Sequence, residues 1–425
     1  MTEAPQGTNS VQSIMNPAKQ QVTSRDLLVQ LARANVKVNF GEYFQFQFFV
    51  NNFYFDEKIN YPPPRLLTPM QRQPSLKAMR ILTAIPPFAR EIYAKAFFKA
   101  RWVDNWDLTD NETIKQIVHS ITEKDLAFGS LRIGSVEEIL SSNRIKEELF
   151  EQTRKAAVER GIFGVPTFWV RDRFFWGADR MFLVKRYLGQ LNAVPSRLLV
   201  HPIPKKLANQ PTEVNFFFDF SSPWSYLGAY QIEEAVRSTG ARNISINYIP
   251  ILLGGLFKNI GTPNMPVTAL SEAKRSYFTQ DLKDWVTERN IPFRFTSHFP
   301  LRSVLPLRVI IAAKDCCADG GVSLVHQLYR AVWVDDIDIS DKNVLGGLLE
   351  DWGLQTDLLL HTASSNEFVK EQLFKNTRMA EELGCCGVPS FQVDGSPVIW
   401  GQDRLNVVQD LICGWEYPIK SSSSL

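Results

Sequence analysis

The 425-residue chain is poor in cysteine, and its five cysteines form no recognised redox or metal motif. Four of them are adjacent pairs, Cys316–Cys317 and Cys385–Cys386, and the fifth is Cys413. Adjacent cysteines rarely form a relaxed disulfide, and no C-x-x-C occurs, so neither a dithiol redox centre nor a zinc knuckle is indicated. A low, odd cysteine count is typical of proteins in a reducing compartment.

Long apolar runs and long runs of lysine or arginine are also absent from the sequence. The formal net charge is only +2, so we expect neither a membrane nor a nucleic acid as a partner. His298, His326 and His361 are far apart and lack the i, i+4 spacing of a metal-ligand pair. We therefore predict no metal site.

The two ends of the chain are polar. The first 25 residues lack the apolar core of a secretory signal. The C-terminal "SSSSL" shares serine and leucine with the S-K-L peroxisomal address but lacks its basic residue. We expect segments 1–24 and 419–425 to be disordered, and the protein to be intracellular, either cytoplasmic or organellar, with mitochondrion and peroxisome both open.

The most informative feature that is present is an internal duplication. The segment "GIFGVPTFWVRDRFFWGADR" (161–180) matches "GCCGVPSFQVDGSPVIWGQDR" (384–404), and two further pairs of matching segments lie upstream in the same order. Matches that recur in one order indicate two copies of one domain. We predict one domain at 25–195 and a second at 212–418, joined by a proline-containing linker at 196–211.

The second copy shows the element order of an α/β domain. An apolar run at 213–220 predicts a buried strand, 221–240 a helix, and 243–250 a second strand, which is the crossover unit of a parallel sheet. A helical region at 266–383 follows, and then a β-hairpin that turns at Asp394-Gly395. The predicted fold class is therefore α/β, with two thioredoxin-like domains that each carry a helical insertion before the C-terminal hairpin.

The loop between the first strand and the first helix of this copy reads "DFSSPWSYLG" (219–228). It has the outline of a thiol–disulfide active site, but Ser222 and Ser225 stand where the cysteines would be. The N-terminus of a helix favours negative charge, so a thiolate brought to Ser222 would be stabilised by the helix and by the hydroxyl donor. The thiol must come from another molecule, and glutathione is the abundant one. The alternative is that Ser222 is a plain N-cap.

Several motifs of the second copy occur in the order of one known family. They are "FFFDFSSPWSYLG", "IPILLGGLFKNIGTPNMP", "SEAKRSYFTQDLKDW", "GCCGVPSF" and "WGQDRL". With them the second copy resembles the 2-hydroxychromene-2-carboxylate isomerase and kappa-class glutathione transferase family, a branch of the DsbA-like thioredoxin superfamily. The resemblance covers essentially the whole second copy, and it implies glutathione as cofactor.

The resemblance assigns roles to three residues around the thiol. It implies that Ser222 hydrogen-bonds the glutathione thiolate, and that the backbone of Val388, ahead of a cis-proline at Pro389, pairs with the cysteinyl part of glutathione. Cys385 and Cys386 lie just before this step. We interpret them as packing residues, the alternative being a mixed disulfide or a site of oxidation.

Four further residues are implied to bind the ends of glutathione. Asp403 matches the aspartate that holds the γ-glutamyl end, with Gln402 in place of the serine of kappa enzymes. Asn264 and Lys274 match an asparagine and a lysine of the family. Each also has a simpler interpretation. Asp403 could cap the last helix, Lys274 could belong to a solvated helix face, and Asn264 could be a turn residue.

The first copy retains "GVP" (164–166) and "WGADR" (176–180), but no S-x-P-x-S loop precedes its helix at 24–35 and its strand at 36–44. We interpret it as a degenerate copy that packs against the second. Because the resemblance implies that related enzymes work as homodimers, we expect either a homodimer or an intrachain pseudo-dimer.

The sequence thus predicts a glutathione-dependent isomerase or transferase that acts on a small apolar electrophile, aromatic or unsaturated. Phe293, Phe295 and Phe299 suit such a ligand, although they suit a protein core equally well. The first alternative is a non-catalytic scaffold or binding protein that retains only the fold. The second is a thiol–disulfide oxidoreductase.

Overall fold

The computed structural model of the chain describes residues 75–104, 106–121, 134–188 and 211–415. Within these residues the chain forms two compact units, one ending at Ala178 and the other beginning at Asp179. Residues 196–210 of the predicted linker and the predicted terminal segments lie outside the described residues, as do the helix and strand predicted for residues 24–44. The predicted domain bounds therefore stay predictions.

The first unit consists mainly of helices. Its elements are α1 (Leu76–Ala84), α2 (Pro87–Trp102), α3 (Asn111–Ser120), α4 (Val136–Ser141), α5 (Asn143–Arg154), β1 (Thr167–Val170) and β2 (Arg173–Trp176). The two strands pair antiparallel. The helices pack their apolar stripes together, and Ile81, Ile114 and Tyr93 are buried between them.

The second unit carries a four-stranded sheet with helices before and between its strands. Its elements are α6 (Met181–Tyr187), β3 (Thr212–Phe218), α7 (Pro223–Arg237), β4 (Ile244–Pro250), α8 (Leu253–Asn259), α9 (Glu272–Glu288), α10 (Val304–Ala313), α11 (Val322–Trp333), α12 (Lys342–Asp351), α13 (Thr356–Ser365), α14 (Glu367–Glu382), β5 (Ser390–Val393), β6 (Ile399–Trp400) and α15 (Leu405–Ile412). A short 3-10 turn, Gln402–Arg404, precedes α15.

The strand order of the sheet is β4-β3-β5-β6. β3 and β4 are parallel and connected through α7, whereas β5 is antiparallel to β3 and β6 is antiparallel to β5. This is the predicted strand–helix–strand unit followed by a hairpin. The run of phenylalanines in β3 forms the centre of the core, where Phe216 stacks on Phe391 with ring centroids 5.2 Å apart.

The helical insertion between β4 and β5 confirms the prediction for residues 266–383. Two of its helices, α10 and α14, pack against β4, and Tyr329 and Trp333 of α11 are among the largest fully buried side chains. The hairpin turn is also confirmed. Asp394 and Gly395 have φ values of 45° and 72°, and the Asp394 carboxylate accepts a hydrogen bond from the backbone N–H of Glu213.

Each hairpin repeats the same local contacts. The N–H of Gly177 donates to the carbonyl of Pro166 at 3.0 Å, and the N–H of Gly401 donates to that of Pro389 at the same distance. The glycine two residues before each proline lies against the indole nitrogen of a hairpin tryptophan. The duplication seen in the sequence is therefore visible in backbone geometry.

Among the described helices, none combines the length and the apolarity needed to cross a bilayer.

Candidate functional site

Ser222 lies at the end of the loop that connects β3 to α7. Its Oγ accepts a hydrogen bond from the backbone N–H of Ser225 at 3.3 Å, so Ser222 is the N-cap of α7 and Pro223 takes the first helical position, which needs no N–H donor. The same hydroxyl donates to the carbonyl oxygen of Val388 at 3.4 Å, a long hydrogen bond. Because a hydroxyl both accepts and donates, capping uses only its acceptor side, and the proton that it donates to Val388 can be redirected to a ligand.

The Val388–Pro389 peptide bond is cis, as predicted. Gly228 of α7 allows this loop to approach, since a Cβ built on that glycine would lie 2.9 Å from both Cβ and Cγ of Pro389. Ser222, Val388 and Pro389 are therefore brought together at the N-terminal end of α7. The N-cap interpretation of Ser222 is correct, but it does not compete with a binding role.

The second serine of the loop points inward. Ser225 is fully buried, and its Oγ accepts a hydrogen bond from the Tyr329 hydroxyl at 2.8 Å. Burial raises the pKa of Tyr329 well above its ordinary value, so the phenol stays protonated and acts as a donor. Ser225 thus holds α7 against α11, and only Ser222 lies beside the cis-proline loop.

Asp219 is a site residue that sequence reasoning missed. It is completely buried, and its two carboxylate oxygens accept hydrogen bonds from the backbone N–H groups of Ser221, at 2.9 Å, and Leu253, at 2.8 Å. Burial raises its pKa, and these hydrogen bonds oppose the rise. Asp219 therefore fixes the serine loop to the start of α8. The available signal was an acidic residue directly after an apolar strand.

Asn264 is exposed, and its Oδ1 lies close to Gly254, 2.9 Å from the position that a Cβ would take there. Gly254 follows Leu253, whose N–H is bound by Asp219. The structure thus links Asn264 to the serine loop through α8, although no direct contact with Ser222 is seen between these described residues.

Asp403 lies in the turn before α15. Its Oδ1 lies above Gly401, whose φ of 110° favours glycine at this position. Its other oxygen, Oδ2, contacts Arg180 and Arg404 at 3.2 and 3.1 Å. The side chain of Asp403 does not cap α15, whose N-cap residue is Arg404.

Gln402 is turned into the protein. It is 4% exposed, and its Oε1 accepts a hydrogen bond from Gln231 Nε2 at 3.0 Å. Gln231 belongs to α7, so this contact fastens the turn that carries Asp403 to the helix that Ser222 caps. A direct contact of the Gln402 side chain with a ligand stays a prediction.

Asp403 belongs to a cluster of five charged side chains, with Asp179, Arg180, Asp281 and Arg404. Arg180 binds both oxygens of Asp281, at 2.7 and 2.8 Å, and Arg404 contacts Asp179 at 2.8 Å. Burial raises the pKa of Asp179, but Arg180 and Arg404 outweigh it and hold that pKa below its ordinary value. Arg180 is itself buried, and burial alone would lower its pKa, but Asp179 and Asp281 raise it well above its ordinary value.

One stripe of α9 runs along the site. Lys274, Phe278 and Asp281 are spaced i, i+4 and i+7, so they share one helix face. Phe278 packs edge-on against Trp224 of the serine loop, with ring centroids 5.3 Å apart, and Asp281 contacts Arg180. Lys274, half-buried in the first turn of α9, therefore lies on the face directed toward the site. The contact between Trp224 and Phe278 was not predicted.

The aromatic residues predicted as candidates for the electrophile pocket divide into two groups. Phe293 stacks on Trp333 at 5.9 Å and belongs with the core, whereas Phe295 is 49% exposed and contacts Phe299 at 5.4 Å. Tyr226, in the first turn of α7, lies 6.3 Å from Phe293. Tyr226 is itself buried, so this aromatic cluster begins in the core one turn beyond Ser222 and is exposed at Phe295.

Cys385 and Cys386 are buried. Burial raises the pKa of Cys385 to about 12, so its thiol stays protonated near neutrality. This environment favours the interpretation of Cys385 as a packing residue. No group of three or more potential metal ligands occurs in the part of the chain that the structure describes.

Comparison with known proteins identifies the class. The model of the DSBA-like thioredoxin domain matches residues 52–189 and 213–413. The chain therefore belongs to the DSBA-like thioredoxin domain family, with two matches in one chain. Both halves of the predicted duplication lie within that family.

More specific similarity extends over about half of the chain. A 2-hydroxychromene-2-carboxylate isomerase from Sphingobium xenophagum is 29% identical over 203 residues, which are 47% of this chain and 97% of that protein. Glutathione s-transferase kappa 2 from Caenorhabditis elegans is 28% identical over 214 residues, or 47% and 91%. A solved structure of 2-hydroxychromene-2-carboxylate isomerase is 25% identical, with a TM-score of 0.42, and covers 47% of this chain and 94% of its own.

Proposed function

We propose that the second repeat is a glutathione-dependent enzyme, an isomerase or transferase, in which Ser222 stabilises the thiolate of bound glutathione. The observation that carries the proposal is the position of Ser222 Oγ at the N-terminus of α7 and 3.4 Å from the Val388 carbonyl, beside the cis-proline. The distant similarity to a glutathione s-transferase of the kappa class supports the choice of glutathione, and the similarity to 2-hydroxychromene-2-carboxylate isomerases supports an isomerase.

The thiolate would be stabilised by two independent effects. The unpaired N–H groups and the dipole of the helix N-terminus favour a negative charge, and the Ser222 hydroxyl donates a charge-assisted hydrogen bond to the sulfur. Both lower the pKa of the glutathione thiol, so more of it is ionised at neutral pH. In the free protein the same hydroxyl donates to the carbonyl of Val388, and it would exchange this long bond for the sulfur.

The chemical step follows from the nucleophile. The thiolate attacks an electrophilic carbon, a C–S bond forms, and the electron pair of the attacked double bond moves onto the conjugated carbonyl oxygen. In an isomerase the adduct rotates about the former double bond, the electron pair returns, and the C–S bond breaks to regenerate the thiolate. In a transferase the adduct takes up a proton from solvent and leaves as the thioether.

The rest of glutathione would be bound by charge and backbone contacts. Glutathione carries two carboxylates and one ammonium group. The ammonium would pair with Asp403, and a carboxylate with Lys274. The backbone of Val388, ahead of Pro389, would align the cysteinyl part, and Asn264 would contribute a polar contact at the edge of the site.

Replacing Ser222 with alanine tests the proposal. Ser222→Ala should raise the pKa of enzyme-bound glutathione, observed by the ultraviolet absorbance of the thiolate, and should lower conjugation or isomerisation activity at least about tenfold, since a hydrogen bond to a charged group contributes roughly 1.5–3 kcal/mol. Ser135→Ala is the matched control, because Ser135 caps α4 in the same way. It should lose cap stability and keep activity.

The outcomes separate the competing functions. If the wild-type protein binds no glutathione, the site is not the one proposed, and a scaffold or binding role is favoured. If the protein reduces a test disulfide in the Ser222→Ala variant, a thiol–disulfide oxidoreductase is favoured instead. Full activity in Ser222→Ala would refute the role of the hydroxyl while leaving glutathione binding intact.

A further inference from the structure

The two repeats contribute equivalent residues to one charge cluster. "WGADR" ends with Asp179-Arg180 and "WGQDR" with Asp403-Arg404. Arg180 contacts Asp403 at 3.2 Å, and Arg404 contacts Asp179 at 2.8 Å. Each arginine of one repeat therefore binds the aspartate of the other. Such reciprocal contacts are the mark of an interface between two copies of the same surface.

Arg180 belongs to the first repeat by sequence and to the second compact unit by its contacts. Its side chain is 10% exposed, so it is more buried than that of Asp403, which is 20% exposed. Asp281 fixes the guanidinium with a bidentate pair, the geometry that holds an arginine most rigidly. Arg180 can therefore hold one oxygen of Asp403, Oδ2, while Oδ1 lies above Gly401.

We propose that Arg180 is a positioning residue for the glutathione site of the second repeat, and that it acts by orienting the Asp403 carboxylate. The inference rests on the proposed function, because Asp403 is there the partner of the glutathione ammonium. The first repeat would then be retained because it completes the site of the second. One chain would supply both halves of a contact that otherwise needs two subunits.

The consequence is a change in glutathione binding without a change in thiol chemistry. Asp403 and Ser222 lie in different elements, the turn before α15 and the cap of α7. Loss of Arg180 should thus raise the KM for glutathione and leave the pH dependence of kcat, which reports the bound thiol, unchanged. A general loss of structure would move both.

A double-mutant cycle tests the proposal on the full chain. Arg180→Gln should raise the KM for glutathione by about 10- to 100-fold, whereas in an Asp403→Asn background the same change should have less than about a threefold effect. Arg180→Lys, which keeps the charge but cannot form the bidentate pair, should lie between Arg180→Gln and wild type. The same variants are also measured with a glutathione analogue that lacks the α-amino group. Binding of this analogue should not depend on Arg180.

Arg186→Gln is the matched control, because Arg186 also belongs to the first repeat and also pairs with a carboxylate of α9, Glu288, but its own side chain is exposed. It should leave the KM unchanged. If Arg180→Gln does not fold, the test uses Arg180→Lys, together with the comparison of glutathione and its analogue in the wild-type protein. Equal effects of Arg180→Gln with and without Asp403, or an unchanged KM, would overturn this inference alone. Absence of glutathione binding in the wild type would overturn the proposed function as well.

Discussion

Gly228→Ala separates two effects that usually occur together in a helix. Alanine is the better helix former by about 1 kcal/mol, so this substitution in the interior of α7 would ordinarily stabilise. However, the new Cβ would lie 2.9 Å from Cβ and Cγ of Pro389, and both are ring atoms that cannot rotate away. Overpacking of this kind costs roughly 1–3 kcal/mol.

Gly347→Ala is the matched change. Gly347 lies inside α12, and a Cβ there would meet no atom within 4 Å. The gain in helix propensity is common to both variants, so it cancels in their comparison and leaves the overpacking cost. For a unit of this size, 1 kcal/mol corresponds to about 2–4 °C, so the two midpoints should differ by roughly 2–12 °C, with Gly347→Ala the more stable.

The assay is thermal denaturation of the two full-length variants beside the wild type, followed by glutathione titration. Gly228→Ala should also weaken glutathione binding, because relief of the contact moves Pro389 and Val388 away from Ser222. Midpoints that rise together in the two variants would refute the close approach of α7 to the cis-proline loop. An unchanged affinity in a destabilised Gly228→Ala protein would separate this contact from the binding site.

Two substitutions and one labelling experiment test the interior of the second unit. Asp219→Asn keeps one acceptor oxygen and loses the other, so it should lower the free energy of unfolding by about 1–3 kcal/mol in urea denaturation, and an unchanged midpoint would contradict the role of its two hydrogen bonds. Tyr329→Phe removes the donor to the buried Ser225 hydroxyl, and should cost about 1–3 kcal/mol in the same assay; wild-type stability would show that the hydroxyl finds another partner. In thiol titration of the native protein at pH 8, exposed Cys316 should react first and Cys385, whose pKa is about 12, only on unfolding; early labelling of Cys385 would contradict its burial.

The sheet and the serine loop were predictable because their signals are local. A strand buried on both faces is a continuous apolar run, and β3 ends at Phe218, two residues before the predicted end, since Asp219 leaves the ladder to bind two backbone N–H groups. The helix that follows begins at Pro223 and ends at Arg237, inside the predicted 221–240, because Ser222 is its cap and Gly240 adopts φ of 77° beyond its end.

The contacts that orient the site were not predictable, because they join residues far apart in the chain. Tyr329 reaches Ser225 across 104 positions, and Arg180 reaches Asp281 across 101. Neither residue has a local pattern that distinguishes it from other tyrosines or arginines. The family resemblance identified Asp403 as a site residue. It could not identify Arg180, because the resemblance compares only the second repeat with the family and Arg180 belongs to the first.

The link between Arg180 and Asp403 spans 223 positions, and it therefore also concerns the time course of synthesis. At roughly 5–20 residues per second, about 10–45 seconds pass between the synthesis of the arginine and that of its distant carboxylate. Of the two distant partners of Arg180, Asp281 is synthesised during this interval and Asp403 only at its end. Arg180 can thus pair with Asp179 and Asp281 first, and its contact with Asp403 can form only when the second repeat is nearly complete.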